Sequence, residues 1–173
     1  TVQCVIADRT IGGRGDAGKV TDQFSTENIV ATLTVTPAWC YGTEVLDLDP
    51  TNIKAVWGFN GTERPGAVFL AASTAAYAQK GQPVFKIYGE EVQDLDDNSI
   101  PTDVRKKLLS FAKGVFAVGQ MKGKSYVNIG SSCMGIAGSQ VDSELFNKYL
   151  GMAVEYVDMT EILRRITLEI YDK

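Results

Sequence analysis

The chain has 173 residues, 45% apolar and 22% charged, with a net charge of −4, the profile of one ordinary globular domain or two small ones. No cluster of Lys and Arg with interleaved aromatics occurs, so no nucleic-acid partner is expected. No apolar run approaches the roughly 18 residues of a membrane span, so no membrane partner is expected either.

Residues 2–7 (VQCVIA) are an apolar run of strand length and predict the first strand. Gly12, Gly13, Gly15 and Gly18 then mark a loop, followed by a weakly helical stretch around residues 19–24. Strands are predicted at residues 29–35 and 55–59. Between them Trp39 follows Pro37, where proline cannot continue the ladder and loops of open α/β sheets carry their sites. A helix over about residues 64–80 has Thr62 as its candidate N-cap, Pro65 in its first turn and Gly81 at its end.

Residues 83–88 predict another strand, then an acidic loop leads to Ser99 and Pro101 at the start of a second helix. Val104, Leu108, Phe111, Ala112 and Val115 form its apolar stripe. Beyond residue 122 the pattern restarts: a strand at 125–129, a small-residue loop at 130–139, a short helix at 143–150 stopped by Gly151, and a strand at 154–157. Asp158 and Glu161 give a capping-box-like opening to a last helix. Strands alternating with helices predict an α/β fold with a doubly wound, mostly parallel, Rossmann-like sheet, followed by the start of a second α/β unit.

The candidate chemistry is sparse. Histidine is absent, which removes the commonest metal ligand and general base. Cys4, Cys40 and Cys133 are odd in number and far apart, as expected of reduced thiols in the cytoplasm. The chain begins at Thr1, directly in a predicted strand and without a leading Met, and is expected to be a piece of something longer. Residues 13–18 spell a GxGxxG fingerprint, yet the acidic residue it requires at the end of the next strand is replaced by Pro37, Ala38 and Trp39. Read as a phosphate loop, the same run has Val20 where Ser or Thr should bind magnesium. Asp94, Asp96 and Asn98 start an EF-hand-like loop that lacks its glycine and its final glutamate. Asp47 and Asp49 are a lone DxD, and Asn60-Gly61-Thr62 is a glycosylation sequon by spelling only.

Longer motifs carry a resemblance. WCYG at 39–42, WGFNGTERPGAV at 57–68, IYG at 87–89, VQD at 92–94, MKGKSY at 121–126, MGIAGS at 134–139 and VDMTE at 157–161 resemble the N-terminal part of the bacterial L-fucose isomerase family. The resemblance covers nearly the whole chain in order and spacing; the Gly12 to Lys19 loop matches least well. It implies an aldose–ketose isomerase interconverting L-fucose and L-fuculose, and D-arabinose and D-ribulose, by metal-assisted enediol proton transfer. It further implies manganese as cofactor and a cytoplasmic homo-hexamer.

The family's metal ligands, two carboxylates and a histidine, belong to sequence beyond Lys173, and its leading strand and helix, with an arginine that contacts substrate, precede Thr1. By the resemblance Trp39 reaches toward a neighbouring subunit's sugar pocket and Met134 lies near the sugar in its own. No catalytic or metal-binding residue is assigned to this chain. The expected domains are residues 1–121, the first N-terminal domain without its leading elements, and residues 122–173, the beginning of the second. The chain alone is expected to be inactive; the competing expectation is a non-catalytic sugar-binding, partner-binding or assembly module.

Overall fold

The computed structural model describes residues 2–36, 42–63 and 66–171. The chain folds as two compact units, residues 1–117 and 118–173. Both are α/β units built on parallel strands.

In the first unit, helix α1 (Arg14–Ser25) leads to strand β1 (Ala31–Thr36), β2 (Ile53–Gly58), helix α2 (Gly66–Gln79), β3 (Phe85–Tyr88) and α3 (Thr102–Met121). The strands form a parallel sheet in the order β1-β2-β3, with Val35 beside Trp57 and Trp57 beside Ile87. From Ala55 to Trp57 central β2 is apolar on both faces, as a strand covered on both sides tends to be. On one face Ala55, Trp57 and Ile87 pack with Val104, Leu108 and Phe111 of α3, the stripe expected from sequence. On the other Val56 packs with Phe69, Leu70 and Tyr77 of α2, and Val45 and Leu46 from the β1–β2 crossover join them. Helices on both faces make the sheet doubly wound.

Two glycines let α2 approach this closely. A Cβ at Gly58 would stand 2.6 Å from the Gly66 carbonyl oxygen and 2.9 Å from the Leu70 Cβ. One at Gly66 would meet the Phe59 amide nitrogen and lie 2.8 Å from the Thr36 carbonyl oxygen. Helix and strand ends therefore meet backbone to backbone. Gly81 closes α2 in the left-handed region at φ 65°, as its place in the sequence predicts.

Three sequence expectations are corrected here. Residues 2–7 form no strand: the Gln23 amide of α1 donates to the Ile6 carbonyl (3.0 Å) and its oxygen accepts from the Asp8 N–H (3.1 Å), so a helix side chain takes backbone groups a neighbouring strand would have used. The glycine-rich stretch is helix, not loop, since α1 starts at Arg14 and contains Gly15 and Gly18. Thr62 stands four residues before Gly66, the first described helical residue of α2, and donates to the Glu63 carboxylate (2.5 Å); residues 64 and 65, Pro65 included, lie outside the described residues.

The second unit pairs β4 (Ser125–Ile129) with β5 (Ala153–Val157) in parallel. Between them helix α4 (Ser143–Leu145), capped by Asp142 on the amides of Glu144 and Leu145, runs into a π turn (Phe146–Leu150) that Gly151 ends at φ 63°. Tyr126 packs against Phe146 with ring centroids 4.7 Å apart. Helix α5 (Met159–Thr167) is capped by Asp158, whose carboxylate accepts from the Thr160 N–H at 2.8 Å. Glu161 does not complete a capping box: its carboxylate turns forward onto Arg164 (2.7 Å) and Arg165 (2.8 Å). Among the described residues no helix is long and apolar enough to cross a membrane.

Candidate functional site

Ligands of open α/β sheets bind past the carboxyl ends of the strands. In the first unit those ends are Thr36, Gly58 and Tyr88. Asn60 stands at the centre of the edge: its amide donates to the Gly89 carbonyl (3.1 Å) and its oxygen accepts from the Tyr88 hydroxyl (2.8 Å). Its carbonyl accepts from the Gln93 N–H at 2.8 Å, and Gly61 bridges to Gln93. This ties the segment after β2 to the one after β3. The Asn60 side chain is thereby committed to protein partners.

Lys107 of α3 donates to the Tyr88 carbonyl (2.7 Å), and Asp103 accepts from the Glu90 N–H (3.1 Å). Partial desolvation opposes ionisation of Asp103, but the amides of Glu90 and Val104 and the Lys107 ammonium outweigh it and hold the carboxyl below its ordinary value. In the acidic loop Asp97 accepts from Ser99, whose side chain and N–H lower its pKa. The pit left between Phe59, Gly61, Gln93 and Leu95 is about 10 Å³, room for one water and not for a sugar. Among the described residues, the segments after β2 and β3 are thus tied together by their own hydrogen bonds.

Asp47 and Asp49 lie on the other side, before β2. The Asp47 carboxylate accepts from the Thr32 hydroxyl (2.8 Å) and the Asn52 amide (3.1 Å), and Asp49 accepts from the Thr51 hydroxyl (2.7 Å). Buried Lys54 closes the same turn, donating to the carbonyls of Asp49 and Asn52. These groups shape a crossover. The GxGxxG reading finds no strand in residues 2–12, and a Cβ at Gly13, Gly15 or Gly18 would meet nothing within 4 Å. No group of three or more carboxylates and thiols gathers to hold a metal among the described residues. Those residues do not fit the manganese that the resemblance implies.

Of the two tryptophans, Trp57 is core, stacked on Phe59 at 4.9 Å between centroids. Trp39 lies outside the described residues. Met134 is at the carboxyl end of β4, in the loop 130–139. That loop leaves the sheet at Gly130 (φ 91°), whose N–H donates to the Val157 carbonyl (2.9 Å). It is braced by the Cys133 N–H on the Ser139 hydroxyl (3.1 Å) and by that hydroxyl on the Ile136 carbonyl (2.7 Å). At its outermost point Met134 is 90% exposed with φ 49°. A left-handed conformation costs a residue with a side chain on the order of 1 kcal/mol, and here it turns an apolar side chain fully into solvent. A cleft of the second unit, about 450 Å³, lies at the opposite, amino end of β4 and β5 beside Lys124, Ser143 and Asn147, and most of its lining is exposed.

The geometry thus defines an α/β protein whose strand ends carry projecting loops and no complete catalytic centre among the described residues. The family model for the first N-terminal domain of L-fucose isomerase matches residues 1–123, and that for the second N-terminal domain matches residues 124–173. The chain belongs to the L-fucose isomerase family.

The chain is 72% identical over 171 residues to the L-fucose isomerase of Clostridium perfringens (strain 13 / Type A), covering 99% of this chain and 29% of that protein. It is 59% identical over 172 residues to that of Vibrio vulnificus (strain YJ016), 99% of this chain and 30% of the relative. It is 58% identical over 173 residues to that of Escherichia coli O6:H1, 100% and 29%. The chain therefore spans about three tenths of the curated relatives it matches.

Sequence reading passed over Gly58, Gly66 and Asn60 as structural determinants. The available signals for the first two were a glycine ending a strand just before a predicted helix and a second glycine in that helix's first turn.

Proposed function

We propose that the whole protein is an aldose–ketose isomerase that interconverts L-fucose and L-fuculose, and D-arabinose and D-ribulose. The observation that carries this reading is 72% identity over 171 residues to an L-fucose isomerase. The reaction moves a proton between neighbouring carbons through an enediol, and a divalent cation, manganese in this reading, supplies charge stabilisation to the sugar oxygens. Its ligands come from outside residues 1–173. The protein acts in the cytoplasm as a homo-hexamer.

Residues of this chain bind and enclose. The Trp39 indole offers an apolar face to sugar C–H groups in a neighbouring subunit's site, and Met134 offers a flexible apolar side chain in its own. Neither moves a proton, so the chain by itself does not turn over sugar.

The test is incubation of the full-length protein with L-fucose, followed by carbon NMR. L-fuculose should appear, cease with a chelator and return with manganese. Thermal stabilisation by L-fucose without ketose formation would instead identify a binding module.

A further inference from the structure

Met134 stands at the second position of a tight turn. The Ile136 N–H donates to the Cys133 carbonyl at 2.9 Å, and the two residues between them, Met134 and Gly135, both have positive φ, 49° and 72°. That pattern belongs to the I′ turn, which suits Asn-Gly or Gly-Gly; a residue with a longer side chain holds it only where its surroundings impose it. Packing of Met134 does not impose it, since the residue is 90% exposed. The one side chain that grips the turn is Ser139, whose hydroxyl accepts from the Cys133 N–H (3.1 Å) and donates to the Ile136 carbonyl (2.7 Å). A single oxygen thus joins the first and last residues of the turn. The Ser139 N–H donates to the same carbonyl at 2.9 Å.

We propose that Ser139 is a positioning residue for sugar binding: its hydroxyl locks the turn 133–136 and so fixes where Met134 projects beyond the carboxyl end of β4. Both groups it binds are backbone, so the brace requires a hydroxyl at 139 rather than particular side chains at 133 and 136. A side chain whose backbone is fixed before the ligand arrives spares part of the ordering cost of binding. The link to sugar rests on the reading that Met134 lies beside the bound sugar; the brace itself does not.

The test uses the full-length protein with Ser139→Ala, Ser139→Thr, Gly135→Ala, Met134→Ala and, as control, Gly138→Ala. Ser139→Ala should raise KM for L-fucose about three- to tenfold with kcat within about twofold, the loss expected when a flexible side chain must be ordered on binding. Ser139→Thr keeps the hydroxyl and should hold KM within about twofold of the parent. Gly135→Ala disturbs the turn by a second route, because its φ is left-handed while open space surrounds the place of a Cβ; KM should rise in the same way. Gly138 has the same open space without a positive φ, and Gly138→Ala should leave KM unchanged.

Independently of activity, backbone hydrogen exchange read by mass spectrometry should speed up over residues 133–136 in Ser139→Ala and Gly135→Ala, and not in Ser139→Thr or Gly138→Ala. If Met134→Ala raises KM while Ser139→Ala changes neither exchange nor KM, the brace is wrong and the sugar role stands. If Ser139→Ala speeds exchange while Met134→Ala leaves KM unchanged, the brace stands and the sugar role of Met134 falls. Faster exchange in Ser139→Ala with KM unchanged there but raised in Met134→Ala would overturn the positioning role.

Discussion

At Gly66 a methyl group would collide with backbone on two sides, at Phe59 and at the Thr36 carbonyl; backbone cannot rotate aside as a side-chain end can. Gly66→Ala should therefore cost about 2 kcal/mol or more, as overpacking of a well-filled interior does. Gly18, inside α1 with open space where its Cβ would be, should respond in the opposite sense. Gly18→Ala should gain about 0.5–1 kcal/mol from reduced chain entropy. Urea midpoints of the two variants, read against the parent chain, check the pair; equal shifts would contradict the packing described. The sequence marks both positions as glycine and cannot tell them apart, because what distinguishes them is a neighbour brought close by the fold. Asn60 illustrates the same limit: its sequon was legible, its bonds to Gly89 and Tyr88 were not.

Elements whose periodicity is local were read well. The α3 stripe, β4 and the Asp158 cap each stand where residue spacing places them. The failures share a cause. Whether residues 2–7 are a strand depends on a partner edge, and whether residues 14–18 are loop or helix depends on packing that glycine frequency does not report. Glu161 also escaped, since its spacing suits a capping box and an i,i+4 pair equally; two arginines in the same helix decided for the pair.

Its carboxyl is drawn from an ordinary value of 4.5 to about 2, first by the hydrogen bond from Arg164 and then by that from Arg165. A carboxyl whose folded pKa lies below its unfolded value contributes stability that is complete above 4.5 and lost as pH falls toward about 2. The stability difference between the parent chain and Glu161→Gln should accordingly shrink over that interval. Denaturant titrations at successive pH values check this; a difference independent of pH would contradict it.

On the scale of the whole molecule, the second unit shows two strands among the described residues and exposes much apolar surface, including Tyr156, Leu163 and Ile166 at 61%, 59% and 59%. Two strands bury too little to cover such a face from within. An isolated chain of residues 1–173 should therefore self-associate, with light scattering giving a mass above 18.8 kDa that rises with concentration; a strict monomer at high concentration would contradict this. Family membership was legible from long motifs such as WGFNGTERPGAV, which ordinary composition hides.

The proposed function holds that this chain contributes sugar-binding residues to an L-fucose isomerase while the catalytic groups lie elsewhere. Its most direct test is ketose formation from L-fucose with manganese, measured side by side for residues 1–173 and for the full-length protein. The account predicts turnover by the full-length protein and none by residues 1–173. Turnover by residues 1–173 alone, or none by the full-length protein, would contradict it.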